Sequence, residues 1–136
     1  MPNPQVASLQ RALAQQESTR ARIQEHLSNR FTPFARNDII SDIRYAESRR
    51  NEMRQNDEQL RNLYNQSRNH QERDNLKQRR DRLHEGMRTL NDRYSNAKRR
   101  LQEYDGHHRK SMDELSATNR KIQDLRQQLS RAYQHG

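Results

Sequence analysis

The 136-residue sequence has no cysteine and no tryptophan, only 3 glycines and 3 prolines, and just 28% hydrophobic residues. Each shortage excludes something. Without cysteine there is neither a disulfide framework nor a thiolate metal site. Ordinary soluble domains are about 45–50% apolar, so this chain falls short of what a compact globular core needs. No apolar run approaches the roughly 18 residues of a membrane-spanning helix. The start, Met1-Pro2-Asn3-Pro4-Gln5, lacks the basic and apolar regions of a secretory signal. The sequence thus predicts an intracellular, cytoplasmic protein with no membrane span.

The scarcity of glycine and proline also argues against a disordered chain, which would be enriched in both. What is abundant is Arg, Gln, Glu, Leu and Ala, all helix formers. Helices with so little apolar surface are stable when a narrow stripe is buried along a seam. The expected fold class is all-α, an elongated coiled coil of long helices forming a single unit over residues 1–136. Its 27 Lys+Arg outnumber 18 Asp+Glu to give a net charge of +9. Arginine's planar fork suits carboxylates and phosphates, so an acidic partner fits. The acids are interleaved with the bases throughout, unlike the basic blocks of tails that coat nucleic acid.

Local signals divide the chain. Asn3 followed by Pro4 reads as a cap and first helical position, opening a helix over about 4–31. Its stripe is Val6, Leu9, Leu13, Ile23 and Leu27, with Gln16 and Arg20 filling seam positions. Phe31-Thr32-Pro33-Phe34 breaks the rhythm and predicts a turn over 32–37, with Asn37 or Asp38 capping the next helix. That long helix, about 38–104, carries Ile39, Ile43, Ala46, Met53, Leu60 and Tyr64, with Arg50 and Asp57 inside the seam. Residues 65–75 contain no apolar side chain, yet no Gly or Pro either, so helix is expected to continue through them.

Beyond that stretch the stripe resumes as Leu76, Leu83, Met87, Leu90, Tyr94, Ala97, Leu101 and Tyr104. The step from Ser67 to Leu76 is nine residues instead of seven, which turns the stripe roughly to the opposite side. Asp105-Gly106 is a turn signal, placing a last helix over about 107–134 with Met112, Leu115, Ile122, Leu125 and Leu129.

These segments favour a folded-back, Z-shaped three-helix rod, in which the first and last helices cover opposite faces of the long one. The alternative is a continuous rod that forms a dimer, a homo-oligomer in which Gly106 is an interior glycine tolerated at about 1 kcal/mol. Charge favours folding back. A parallel dimer would set Arg49 near Arg54, Arg93 near Lys98 and Lys121 near Arg126, and would face Arg50 and Asp57 against their own copies. Folding back at Gly106 would instead bring Arg100 toward Glu114, although Arg93 toward Lys121 stays unfavourable.

Few residues suit chemistry. Adjacent His107 and His108 diverge by about 100° on a helix, and His84-Glu85 lacks the second histidine of a zinc-binding helix. No metal or other cofactor is expected. No nucleophile stands out, and a narrow helical rod supplies no water-excluding cleft. Asp57-Glu58 and Asp113-Glu114 read as partners of nearby arginines, so no catalytic residue is assigned.

The leading expectation is a structural or adaptor coiled coil that binds a protein partner, acidic and helical, through helix pairing and Arg-rich faces. Its pairing seam is Ile39, Ile43, Met53, Leu60, Leu76, Leu83, Met87, Leu90, Tyr94, Leu101, Leu115, Ile122, Leu125 and Leu129. Candidate contacts to an anionic partner are Arg79, Arg80, Arg82, Lys98, Arg99, Arg100, Arg109 and Lys110. The same cations support an alternative, salt-sensitive and sequence-independent binding of nucleic acid. Against it, they lie within the heptads and alternate with Asp81, Glu85, Asp92 and Glu103. In size, lack of cysteine and basic helical-hairpin pattern the whole chain resembles the stalk proteins of bacterial type III export systems. That resemblance implies a role beside an export ATPase.

Overall fold

In a computed structural model, which describes residues 4–135 and their side chains as far as Gln134, the chain is all-α. The three helices are α1 (Pro4–Arg30), α2 (Pro33–Gln66) and α3 (His70–His135). The expected Asn3 cap lies outside the described residues. Contacts divide the chain into two units, one gathering residues up to Ala35 with those from Tyr104 onward, the other spanning Arg36–Glu103.

Between α1 and α2 only Phe31 and Thr32 leave the helical path. The expected turn over 32–37 with a start at Asn37 or Asp38 is therefore corrected: α2 begins at Pro33. Thr32 Oγ1 accepts a hydrogen bond from the Ala35 amide at 3.2 Å, capping the helix, and Pro33 occupies the first position, where a missing N–H costs nothing.

The second correction concerns residues 65–75, where the chain turns instead of remaining helical. Ser67, Arg68 and Asn69 separate α2 from α3. Asn69 is the cause. Its carbonyl accepts the Arg73 amide at 3.0 Å, while its Oδ1 accepts from the amides of Gln71 at 2.9 Å and Glu72 at 3.4 Å. Ser67 Oγ accepts from the Asn69 amide at 3.4 Å. The Ser67 and Asn69 side chains and the Asn69 carbonyl thus take up amides at the start of the new helix, with neither glycine nor proline. The nine-residue step in the stripe marks this turn and not a change of face within one helix.

The third correction is at Gly106, where the expected chain reversal between 104 and 107 is absent and α3 continues. No described glycine has a positive φ, the conformation for which a turn recruits glycine. The heptad frame explains the continuity. Counting by sevens from Leu76 gives Leu83, Leu90, Ala97, Tyr104, Ser111, Thr118, Leu125 and Ala132, and every one is buried or half-buried. A reversal at 106 would have broken that sequence.

In the Arg36–Glu103 unit, α2 runs antiparallel to the first part of α3. Asp42 meets Arg100 at 3.6 Å, Met53 lies against Gly86, and Tyr64 stacks beneath Arg73. Ile39, Ala46, Leu60, Leu76, Leu90 and Ala97 are buried between them. A Cβ on Gly86 would stand 3.4 Å from the Met53 terminal methyl, an ordinary contact with the end of a flexible side chain. Arg93 lies over Tyr45 and Arg100 pairs with Asp42; the expected neighbours Lys121 and Glu114 are replaced by α2 residues because the reversal comes at 67–69.

In the other unit, α1 runs antiparallel to the end of α3. Tyr104 donates to the Thr32 carbonyl at 3.1 Å, Arg126 pairs with Glu17 at 3.3 Å, and Gln10 donates to the Tyr133 hydroxyl at 2.8 Å. Ile122 and Ala132 are buried, and buried Thr118 donates its hydroxyl to the Glu114 carbonyl at 2.8 Å, so the polar group is satisfied. No residue of α1 is buried; its stripe of Val6, Leu9, Leu13, Ile23 and Leu27 is half-buried throughout.

Candidate protein-binding faces

The apolar positions of the pairing seam are buried to differing depths, whereas Met112, also in the stripe, is exposed. Ile39, Leu60, Leu76, Leu90 and Ile122 are buried. Ile43, Met53, Leu83, Met87, Tyr94, Leu101, Leu115, Leu125 and Leu129 are half-buried. Two helices side by side cover one line of contact and leave its flanks open, which is the physical reason for the second group.

Polar seam residues of the Arg36–Glu103 unit make specific contacts. Asp57 accepts from Arg80 Nε at 3.0 Å and from His84 Nε2 at 2.8 Å, both at Oδ1. Burial raises the Asp57 pKa, but the hydrogen bonds and positive charges of Arg80 and His84 outweigh it and hold the carboxyl below its ordinary 3.8. The Arg50 guanidinium sits 4.3 Å from the centre of the Tyr94 ring, with Lys98 Nζ 4.7 Å from that same centre. Arg73 stacks on Tyr64 at 4.4 Å, and Arg93 on Tyr45 at 5.1 Å. The Nε atoms of Arg50 and Arg73 are buried with no hydrogen-bond acceptor; the tyrosine π faces are what these cations have in its place.

The candidate anionic-partner contacts therefore divide. Arg80 is turned inward to Asp57, Arg100 pairs with Asp42, Lys98 lies over Tyr94, and Arg99 donates to Asn96 Oδ1 at 3.2 Å. Arg79, Arg82, Arg109 and Lys110 are exposed and have no acceptor among the described residues.

Arg79 and Arg82 stand at the edge of a groove of about 540 Å3 between α2 and α3, whose walls are Met53, Leu60, Leu63 and Leu83 with the amides of Asn56 and Gln59. Leu63 is 49% exposed, so half of a leucine side chain faces water there. A second, open crevice of about 380 Å3 lies along α1, lined by Arg22, Glu25, His26, Asn29 and Arg30.

In the other unit Phe31 is ringed by His26, Tyr104 and His108, with ring centres 5.7, 5.1 and 5.2 Å away. His107 and His108 both stay exposed. Among the described residues no group of three or more His, Asp or Glu is placed to hold a metal ion, and no helix is long and apolar enough to cross a membrane.

Sequence reasoning placed Arg50, Asp57, Tyr64 and Tyr94 in the seam but missed the bonds of Asp57 to Arg80 and His84 and the stacking of arginines on those tyrosines. The frame carried one further signal: Arg73 precedes Arg80 by seven residues, so it too is an inward position. Comparison with known protein families, characterised proteins and solved structures finds no match for this chain.

Proposed function

We propose that this chain is a non-enzymatic coiled-coil adaptor that holds a protein partner through helix pairing and Arg-rich faces. The observation that carries this reading is the combination of a half-buried apolar stripe with exposed arginines that have no acceptor, at Leu63, Arg79 and Arg82. Exposed apolar surface in a groove gains from being covered, and an unpaired guanidinium fork is matched by a carboxylate. A protein helix supplies both kinds of group at once. Nucleic acid supplies only the anion, and leaves the apolar wall exposed.

The test uses the full-length protein as bait in a nuclease-treated lysate at physiological salt. Retention of a discrete protein in near-stoichiometric amount is the expected result. A gel shift with duplex DNA or RNA in parallel, falling steeply with salt and lost when Lys98, Arg99 and Arg100 become Gln, would overturn it in favour of nucleic-acid binding.

A further inference from the structure

We infer that the groove between α2 and α3 beside the Ser67–Asn69 turn docks an acidic amphipathic helix of a partner protein. The inference rests on the adaptor reading and specifies where the partner sits and what it is made of. Met53, Leu60, Leu63 and Leu83 form the apolar wall and Arg79 and Arg82 one rim.

The shape suits a helix. From Met53 to Leu63 the wall extends for about 15 Å, nearly three turns, enough for anchors at i, i+4 and i+7 of a helix lying along it. Two packed helices leave such a trough along each side of their contact line, and a third helix filling one is the ordinary way to complete a bundle.

The charge selects the occupant. Arg79 has arginine or uncharged residues three and four positions away in either direction, so no carboxylate of its own helix is in reach. Arg82 has Glu85 one turn away but forms no ion pair with it within 4 Å. By contrast Arg80, one position from Arg79, has Asp57 at 3.0 Å. The chain thus neutralises the arginine that faces its own partner helix and leaves bare the two that face the groove. A helix with leucine-like anchors flanked by Glu or Asp satisfies both the wall and the rim.

A second copy of this chain fits less well. A two-fold contact through this groove brings both Arg79–Arg82 rims into one interface without adding an acid, and the chain as a whole carries +9. Nucleic acid has no group for an aliphatic wall, which contains no aromatic ring on which a base could stack.

The experiment measures fluorescence anisotropy of labelled synthetic peptides with the full-length protein. One peptide of about 18 residues places Leu at i, i+4, i+7 and i+11 of an Ala-rich helix with Glu beside them; the other has Lys for each Glu. The acidic peptide should bind at least about 10-fold more tightly than the basic one. The double variant R79E/R82E should reverse that order, and Leu63→Gln should weaken the acidic peptide about 5-fold or more. All three positions are exposed, circular dichroism is used to check that each variant stays helical, and R79Q/R82Q replaces the charge reversal if that variant unfolds.

Equal affinity for the two peptides, or affinity unchanged by both sets of substitutions, overturns the inference. If binding is instead lost on changing Lys98, Arg99 and Arg100 to Gln, the groove is the wrong place while the adaptor reading stands. If sedimentation shows self-association that Leu63→Gln abolishes, the occupant is a second copy and the inference falls. If neither peptide binds and the lysate yields no protein, both readings fall.

Discussion

His84 Nε2 stands 2.8 Å from Asp57 Oδ1 across the α2–α3 contact, and Arg80 Nε reaches the same oxygen at 3.0 Å. One carboxylate oxygen therefore fastens two side chains a turn apart on the opposing helix. A one-residue slip of α2 along α3 would break both bonds, so the cluster selects a register that the leucines alone specify loosely.

Asp57→Asn should lower stability in urea denaturation at pH 7 by about 1–2 kcal/mol, between an exposed ion pair and a fully buried one. The pH dependence has a defined sign. The folded-state pKa of Asp57 lies below its ordinary 3.8, so the contribution is present above that value and is lost as pH falls through the folded pKa. The gap between parent and variant should narrow as pH falls below the ordinary 3.8 toward the folded value. A gap that persists undiminished at pH 2.5 would mean that packing, not the carboxylate charge, is what the substitution removes.

Asn69 caps α3 through the Gln71 and Glu72 amides. Asn69→Ala should cost about 1 kcal/mol, and Asn69→Asp, which keeps the accepting oxygen, should cost a few tenths at most. The comparison matters because both substitutions remove the same amide NH2 and only one removes the cap. Equal losses in thermal denaturation would show that the turn is held by something other than this side chain.

At Gly106 an added Cβ would meet nothing within 4 Å, and the backbone is helical on both sides. Gly106→Ala should therefore raise stability by about 1 kcal/mol through helix propensity alone. A reversal at this point would produce the opposite sign, since Asp-Gly turns draw on glycine's left-handed conformation. Thermal denaturation of this single variant distinguishes the two paths.

What the sequence made legible was periodicity. The frame through Leu76, Leu83, Leu90 and Leu125 is written in the spacing, and it runs past Gly106 without a shift. Where the chain reverses was harder to read, because glycine and proline are only the commonest punctuation. Gly106 is a helical glycine and Pro33 a first-turn proline, whereas the reversal rests on Ser67 and Asn69, whose side chains look like ordinary polar surface until their bonds to the backbone are seen. The pairing Asp57–His84 was not legible for a consequential reason. It depends on which segment lies opposite α2, and moving the reversal from 106 to 67–69 changes every cross-helix neighbour. The groove edge followed from the same fact: Arg79 and Arg80 are adjacent in sequence, and only the position of α2 decides that one is neutralised and the other bare.

Leu60 and Leu63 separate the seam from the groove most sharply, since both lie on α2 three residues apart and both line the trough. Leu60 is 8% exposed and Leu63 49%. Leu60→Ala removes a packed side chain and leaves a cavity, so it should cost about 2–4 kcal/mol. Leu63→Ala removes atoms that already face water and should change stability by no more than about 0.5 kcal/mol. Urea denaturation with an unchanged slope measures both. A large loss at Leu63 would mean that it already packs against something within the chain, leaving the groove no open anchor for a partner. Near-neutrality at Leu63 alongside a large loss at Leu60 would show a leucine that does little for folding, and its remaining physical value would lie in what can cover it.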